Sequence, residues 1–212
     1  SDFNSAIPYD TKAFILGQLG QYYEAVKYCQ KAIQRDGKNA FFWKNKGLYL
    51  RKLNELEKSL ECYQHSIQLN PDNADIWNDK GFTLIILKKY KDALKSLDKA
   101  LKINPKHAFA LNNKGAAFIG LNQHEKALEQ INRSIDLKPQ NAWAMNNKAV
   151  SLCHLGRHED ALKYSDEAIK IDSNFALAWK IKGDILELLE RHEEAANAHE
   201  IAFELDPSLK DS

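Results

Sequence analysis

Small residues return along this chain at a fixed interval of 34. Gly81 and Gly115, Ala93 and Ala127, and Pro105 and Pro139 are each separated by that number. A period between 20 and 50 residues is the signature of a repeat architecture, in which each unit buries its apolar face only against its neighbours. The interval therefore restricts the fold before any single residue is considered, and it predicts a scaffold ahead of any chemistry.

Six registers of the period fill residues 6 to 209, as 6–39, 40–73, 74–107, 108–141, 142–175 and 176–209, leaving 210–212 as a tail of one continuous repeat domain. The first position reads Ala6, Ala40, Ala74, Ala108, Ala142 and Ala176. The eighth reads Ala13, Gly47, Gly81, Gly115, Ala149 and Gly183, where only hydrogen or methyl lets a second helix approach closely. Leu19, Leu53, Leu87, Leu121, Leu155 and Leu189 share another register. Within the fourth unit, Leu111, Gly115, Phe118 and Leu121 fall on one face of a helix running roughly 108–121. After a break at 122–124, Ala127, Leu128, Ile131 and Ile135 define a second amphipathic helix ending near Leu137. Pro139 closes it, because the residue before a proline is driven out of helical geometry. Each unit is thus expected to be an antiparallel hairpin of a helix A and a helix B in an all-α chain.

The apolar anchors Tyr9, Trp43, Trp77, Leu111, Met145 and Trp179, each followed four residues later by the small residue and then by the A…A…P tail, resemble the tetratricopeptide repeat (TPR) family. The resemblance spans about 204 of 212 residues without an insertion. It implies a right-handed α-solenoid of six hairpins whose helices A line a concave groove. One departure is systematic: Lys12, Lys46, Lys80, Lys114, Lys148 and Lys182 stand where the family has Leu. These are expected to lay their stems along the core edge with their ammonium groups in water. At the far end, His199 replaces Tyr63, Leu97 and Ile131 of earlier units, which suggests that the last helix B serves as a cap; a longer parent protein is the alternative.

Composition narrows the function classes. Thirty basic and 29 acidic residues leave a net charge of +1, which offers no overall field for nucleic acid or an anionic membrane, and no apolar run approaches the roughly 20 residues of a membrane span. Cys29, Cys62 and Cys153 are odd in number and lack a CxxC spacing, which fits a reducing, cytoplasmic setting and no disulfide framework. His154 and His158 beside Cys153 invite a metal hypothesis, but His124, His158 and His192 share one repeat position and should lie at equivalent turns, not around a common ion. No nucleophile elbow, phosphate loop or zinc-protease motif occurs. No catalytic residue, metal or cofactor is expected.

On a helical wheel the second, fifth, sixth, ninth, twelfth and thirteenth positions of each unit point away from the packing stripe. In TPR proteins that face lines the groove. Here it offers large apolar groups, Phe41, Phe82, Phe109, Trp143 and Val150, interleaved with Lys44 and the amides Asn45, Asn78, Asn112, Asn113, Asn146 and Asn147. An Asn side chain both donates and accepts, which suits it to the backbone of an extended peptide. The sixth-position amides Asn45, Asn113 and Asn147 resemble the asparagine ladder of O-linked sugar transferases, interrupted at Thr11, Asp79 and Ile181. Solvated helix residues are the plainer reading of the same amides. The clamp that TPR proteins use for acidic chaperone tails is not expected: Lys44 fills its first place, but Leu48 and Asp79 occupy the next two. The reading is a non-catalytic scaffold that binds a peptide or helical segment of a protein partner; the alternatives are the recognition arm of a longer enzyme and a self-associating scaffold, with weak homo-oligomers.

Overall fold

The computed structural model describes residues 6–211 and is helical throughout. The helices are α1 (Ile7–Gln18), α2 (Tyr22–Arg35), α3 (Ala40–Lys52), α4 (Leu56–Leu69), α5 (Ala74–Ile86), α6 (Tyr90–Ile103), α7 (Ala108–Gly120), α8 (His124–Leu137), α9 (Ala142–His154), α10 (His158–Ile171), α11 (Ala176–Leu188) and α12 (His192–Leu205), followed by a 3-10 turn, Pro207–Asp211. This is an all-α helical repeat fold. The odd-numbered helices are the A helices and the even-numbered the B helices. They group into two compact units that divide after Pro105, with three hairpins in each. No described helix is long and apolar enough to cross a membrane.

Helix A and helix B of a hairpin meet at the eighth position. A Cβ on Gly47 would stand 2.9 Å from the Tyr63 ring and one on Gly81 2.7 Å from Leu97, and the approach is closer still between Gly115 and Ile131 and between Gly183 and His199. The two hairpins that carry alanine there, at Ala13 and Ala149, place the small Cys29 and Ser165 at the facing position sixteen residues on. Gly faces large and Ala faces small, so the A–B crossing is filled in two ways. Where serine replaces alanine on helix B, its hydroxyl donates to a carbonyl of the facing helix: Ser59 to Gly47 O at 2.7 Å and Ser66 to Ala40 O at 2.7 Å in the first unit, Ser134 to Ala108 O at 2.8 Å in the second. His199 fills the same crossing in the last hairpin: its ring packs over Gly183 with Nε2 3.0 Å from Asp184 Oδ1.

The turns that join one hairpin to the next are held by hydrogen bonds between side chains and backbone. Asn39, Asn73, His107 and Asn141 accept at their side chains from amides in the first turn of α3, α5, α7 and α9, and so cap the next helix A two residues after the Gly or Pro that ends helix B. The indole Nε1 atoms of Trp43, Trp77 and Trp179 donate to the carbonyls of Gly37, Pro71 and Ser173 at 2.9, 2.8 and 3.0 Å, tying the first anchor back to the closing turn. Between A and B, the chain turns through a left-handed residue at the fifteenth position of every unit: Gly20, Asn54, Lys88, Asn122, Gly156 and Glu190. Glycine takes that geometry freely and asparagine easily, whereas Lys88 at φ 57 does so at a cost. Lys88→Gly should raise stability by up to about 1 kcal/mol. An unchanged or lower urea midpoint would contradict this account of the turn.

The seventh-position lysines do more than solvate an edge. Lys12, Lys148 and Lys182 place their ammonium groups 4.5, 4.1 and 5.4 Å from the ring centres of Tyr28, Tyr164 and Trp179, and Lys46 and Lys80 lie 5.7 and 5.6 Å from Trp43 and Trp77. Lys46, Lys80 and Lys182 also reach the helix B before them: Lys46 to Gln30 and Lys80 to Gln64 at 2.7 Å, and Lys182 to Asp166 at 2.8 Å. Burial holds the Lys80 amine below the ordinary lysine range. A leucine there could fill the edge but could not tether one hairpin to the next.

Candidate peptide-binding surface

In the first unit, Phe41 stands half exposed at the start of α3, with the Lys44 ammonium 5.4 Å from its ring centre. Phe82 is partly buried beneath the Arg51 guanidinium, 4.7 Å away. An open cleft beside Phe41 and Lys44 is walled by Leu69, Asn70 and Ile76. In the second unit, Phe109 and Trp143 occupy the same place on α7 and α9, 49% and 55% exposed. Lys138 lies 4.4 Å over Phe109, and the Trp143 indole leans on Phe175 at 4.5 Å between ring centres. Phe175 holds the position that is Asn or His before α3, α5, α7 and α9, and α11 accordingly lacks a side-chain cap. The second-position aromatics thus stay accessible while a neighbouring cation or ring covers part of each.

Three of the six amides are placed differently from the expectation that they face the groove. Asn45, Asn112 and Asn146 are buried, at 6%, 6% and 2% exposure, while Asn78, Asn113, Asn147 and Val150 are partly buried. Asn45 Nδ2 donates to Asp10 Oδ1 and Asn147 Nδ2 to Asn112 Oδ1, each at 3.0 Å across 35 residues. In each compact unit, then, one fifth-position side chain bonds to the sixth position of the next helix A. The helical wheel fails here because it assumes one buried stripe, whereas helix A packs both against its own helix B and against the flanking helices A. Counting 35 residues on from Asn146 reaches Ile181, which has no donor, and the Asn146 carbonyl oxygen is left buried without a hydrogen-bond partner. Asn45 and Asn112 are in this way joints between hairpins, whereas Asn146 is buried at the same place without that bond.

Among the described residues no group of His, Cys, Asp and Glu assembles as a metal site. His124 instead stacks on His154, ring centres 4.4 Å apart, and burial followed by the neighbouring His154 pushes its pKa down. Cys153 Sγ lies 3.9 Å from His158 Nδ1. The sequence held little sign of Lys138, Arg51 or Phe175 as companions of the exposed rings, since each enters from a different repeat position.

Tetratricopeptide repeat models match residues 8–39, 40–73, 72–140, 131–163 and 155–208. The chain belongs to the tetratricopeptide repeat family. Among solved structures, this TPR chain is similar to YrrB, described as a TPR protein with an unusual peptide-binding site, at 24% identity and a TM-score of 0.61 over 84% of this chain and 91% of that one. It is similar to PilW, a type IV pilus biogenesis factor, at 22% identity and TM-score 0.78 over 98% and 93% of the two chains. Against the APC/C Cut9–Hcn1 hetero-tetramer the TM-score reaches 0.89 at 14% identity, over 96% of this chain and 41% of that one. At such identities the likeness establishes the TPR fold. No curated protein sequence matches the chain.

Proposed function

We propose that this chain is a non-catalytic scaffold that holds a peptide or helical segment of a protein partner along the exposed face of its A helices. The observation that carries the reading is the pair Phe109 and Trp143, two large rings left half exposed at equivalent places on α7 and α9. Large apolar groups held open on a rigid face are the anchors of interaction surfaces. Asn113 and Asn147 lie one turn further along the same helices and are partly exposed. Phe41, Lys44 and Phe82, with Asn78, offer a comparable surface on the first unit. Asn45 and Asn112 support the face from behind by joining its helices. YrrB, similar in fold, is described by its peptide-binding site.

The test is selection of peptides from a displayed library on the wild-type chain, followed by calorimetry with variants. Trp143→Ala and Phe109→Ala should each weaken a selected peptide by about tenfold or more while helicity is unchanged. Asn113→Ala is the milder probe. Selected peptides that bind all three variants as tightly as the parent would refute the reading.

A further inference from the structure

The exposed side of α1 is built as an internal surface. Ile7, Phe14, Ile15 and Leu19 are 69%, 54%, 53% and 66% exposed. The residues that share the register of Ile15 are buried: Tyr49 at 5%, Thr83, Ser151 and Ile185 at 5% or less. Tyr49 clusters there with Ala13, Ala25 and Cys29 of the hairpin before it, and Ile185 with Ala149, Leu152 and Ala161 of the one before it. The seventh-position lysine shows the same difference, because Lys46, Lys80 and Lys182 reach a residue of the preceding helix B sixteen positions earlier, whereas Lys12 meets no such helix among the described residues.

At the other end, α12 carries Glu193, Glu194, Glu200 and Glu204 and no Lys or Arg. Its outer side forms an open cleft lined by Ala196, His199, Glu200, Phe203, Glu204 and Lys210. The repeat register says what would fit that cleft. Continuing the 34-residue lattice by one unit puts an incoming Lys12 opposite Glu200, the equivalent of the Lys182–Asp166 pair. It also puts an incoming Ile15 on Ala196 and His199, the equivalents of Val26 and Cys29, which share a cluster with Tyr49. Both destinations line the cleft. Charge agrees: residues 1–105 carry 17 Lys and Arg against 12 Asp and Glu, and residues 106–212 carry 13 against 17.

We propose that a second copy of this chain docks head to tail, its α1 entering the cleft on α12 with Lys12 paired to Glu200 and Ile15 seated on Ala196 and His199. Such a contact is heterologous, using two different patches, so it leaves a free head and a free tail and continues to higher species unless the rotation closes a ring. The pairing is electrostatic at its rim and weakens with added salt.

The experiment is sedimentation equilibrium on the full chain over a wide concentration range, with no partner peptide present, so that its outcome is independent of the groove. Average mass should rise with concentration. Lys12→Glu and Glu200→Lys should each weaken association by about tenfold or more, because each sets like charges face to face. The double variant with both changes should recover it, and Ile15→Asp should abolish it with circular dichroism unchanged. A constant monomer mass overturns the proposal and assigns the α1 face to a different occupant. Association that is indifferent to Glu200→Lys, or that the double variant fails to restore, overturns it as well.

Discussion

Gly115→Ala should destabilise the chain by about 1–3 kcal/mol, although alanine is the better helix former by about 1 kcal/mol. The added methyl has nowhere to go, because it would collide with the Ile131 side chain and meet the Ala127 carbonyl at 3.3 Å. Both facing residues are helical and Ile131 is fully buried, so relief requires the two helices to separate and the core to loosen. Ile131→Ala alone should cost about 2–5 kcal/mol as a cavity. The informative measurement is the pair together. With Ile131 shortened, the methyl at 115 fills part of the void it leaves, so the double variant should be less destabilised than the sum of the singles by about 0.5–3 kcal/mol in urea unfolding. Additive costs would mean that the Gly–large, Ala–small correspondence is an accident of six hairpins.

Above neutral pH the chain should lose stability in a window set by its buried acids. Burial pushes Cys29 up to about 12, Cys62 up to about 11 and Tyr49 up to about 12. In the unfolded chain thiols release their protons near 8.5 and phenols near 10, so the native state holds protons there that the unfolded state gives up. These groups stabilise the fold fully below about pH 8.5, and their contribution declines as pH rises toward 12. The urea midpoint should be level near neutrality and fall beyond about pH 9, and Cys29→Ala should flatten part of that fall. The same burial makes Cys29 about a thousandfold poorer in thiolate at pH 8 than an ordinary thiol. Alkylation of the native protein should therefore spare Cys29 and Cys62 while all three cysteines react in denaturant. Ready labelling of Cys29 in the native state would show that α2 opens locally.

The hairpins were legible because one period carried them: Gly115, Ala127 and Pro139 mark a close approach, a crossing and a helix end, and each is a local requirement of backbone or volume. Residues whose roles depend on two neighbours were not. Asn112 and Asn146 look like solvated amides on a wheel drawn for one interface, and only the second, between successive helices A, buries them. The lysine column was visible, but its rings were hidden in it: Lys46 uses a tryptophan three residues before it, whereas Lys12 and Lys148 use tyrosines sixteen residues after. Second-position aromatics were recognisable as candidates for a binding face, and the structure leaves Phe41, Phe109 and Trp143 exposed. Lys138 and Phe175, which shape that face, come from closing segments where no period points to them.

The facing of glycine with bulk and alanine with small side chains bears on how such a protein can be rearranged. At the A–B crossing whole hairpins are self-contained, since each brings its own matched pair. Single helices are not. Grafting α8, with Ile131, opposite α9 would drive that side chain against Ala149, while grafting α10, with Ser165, opposite α7 would leave a hole beside Gly115. Recombination between repeats should therefore succeed at the turns that join one hairpin to the next and fail at the turns inside them.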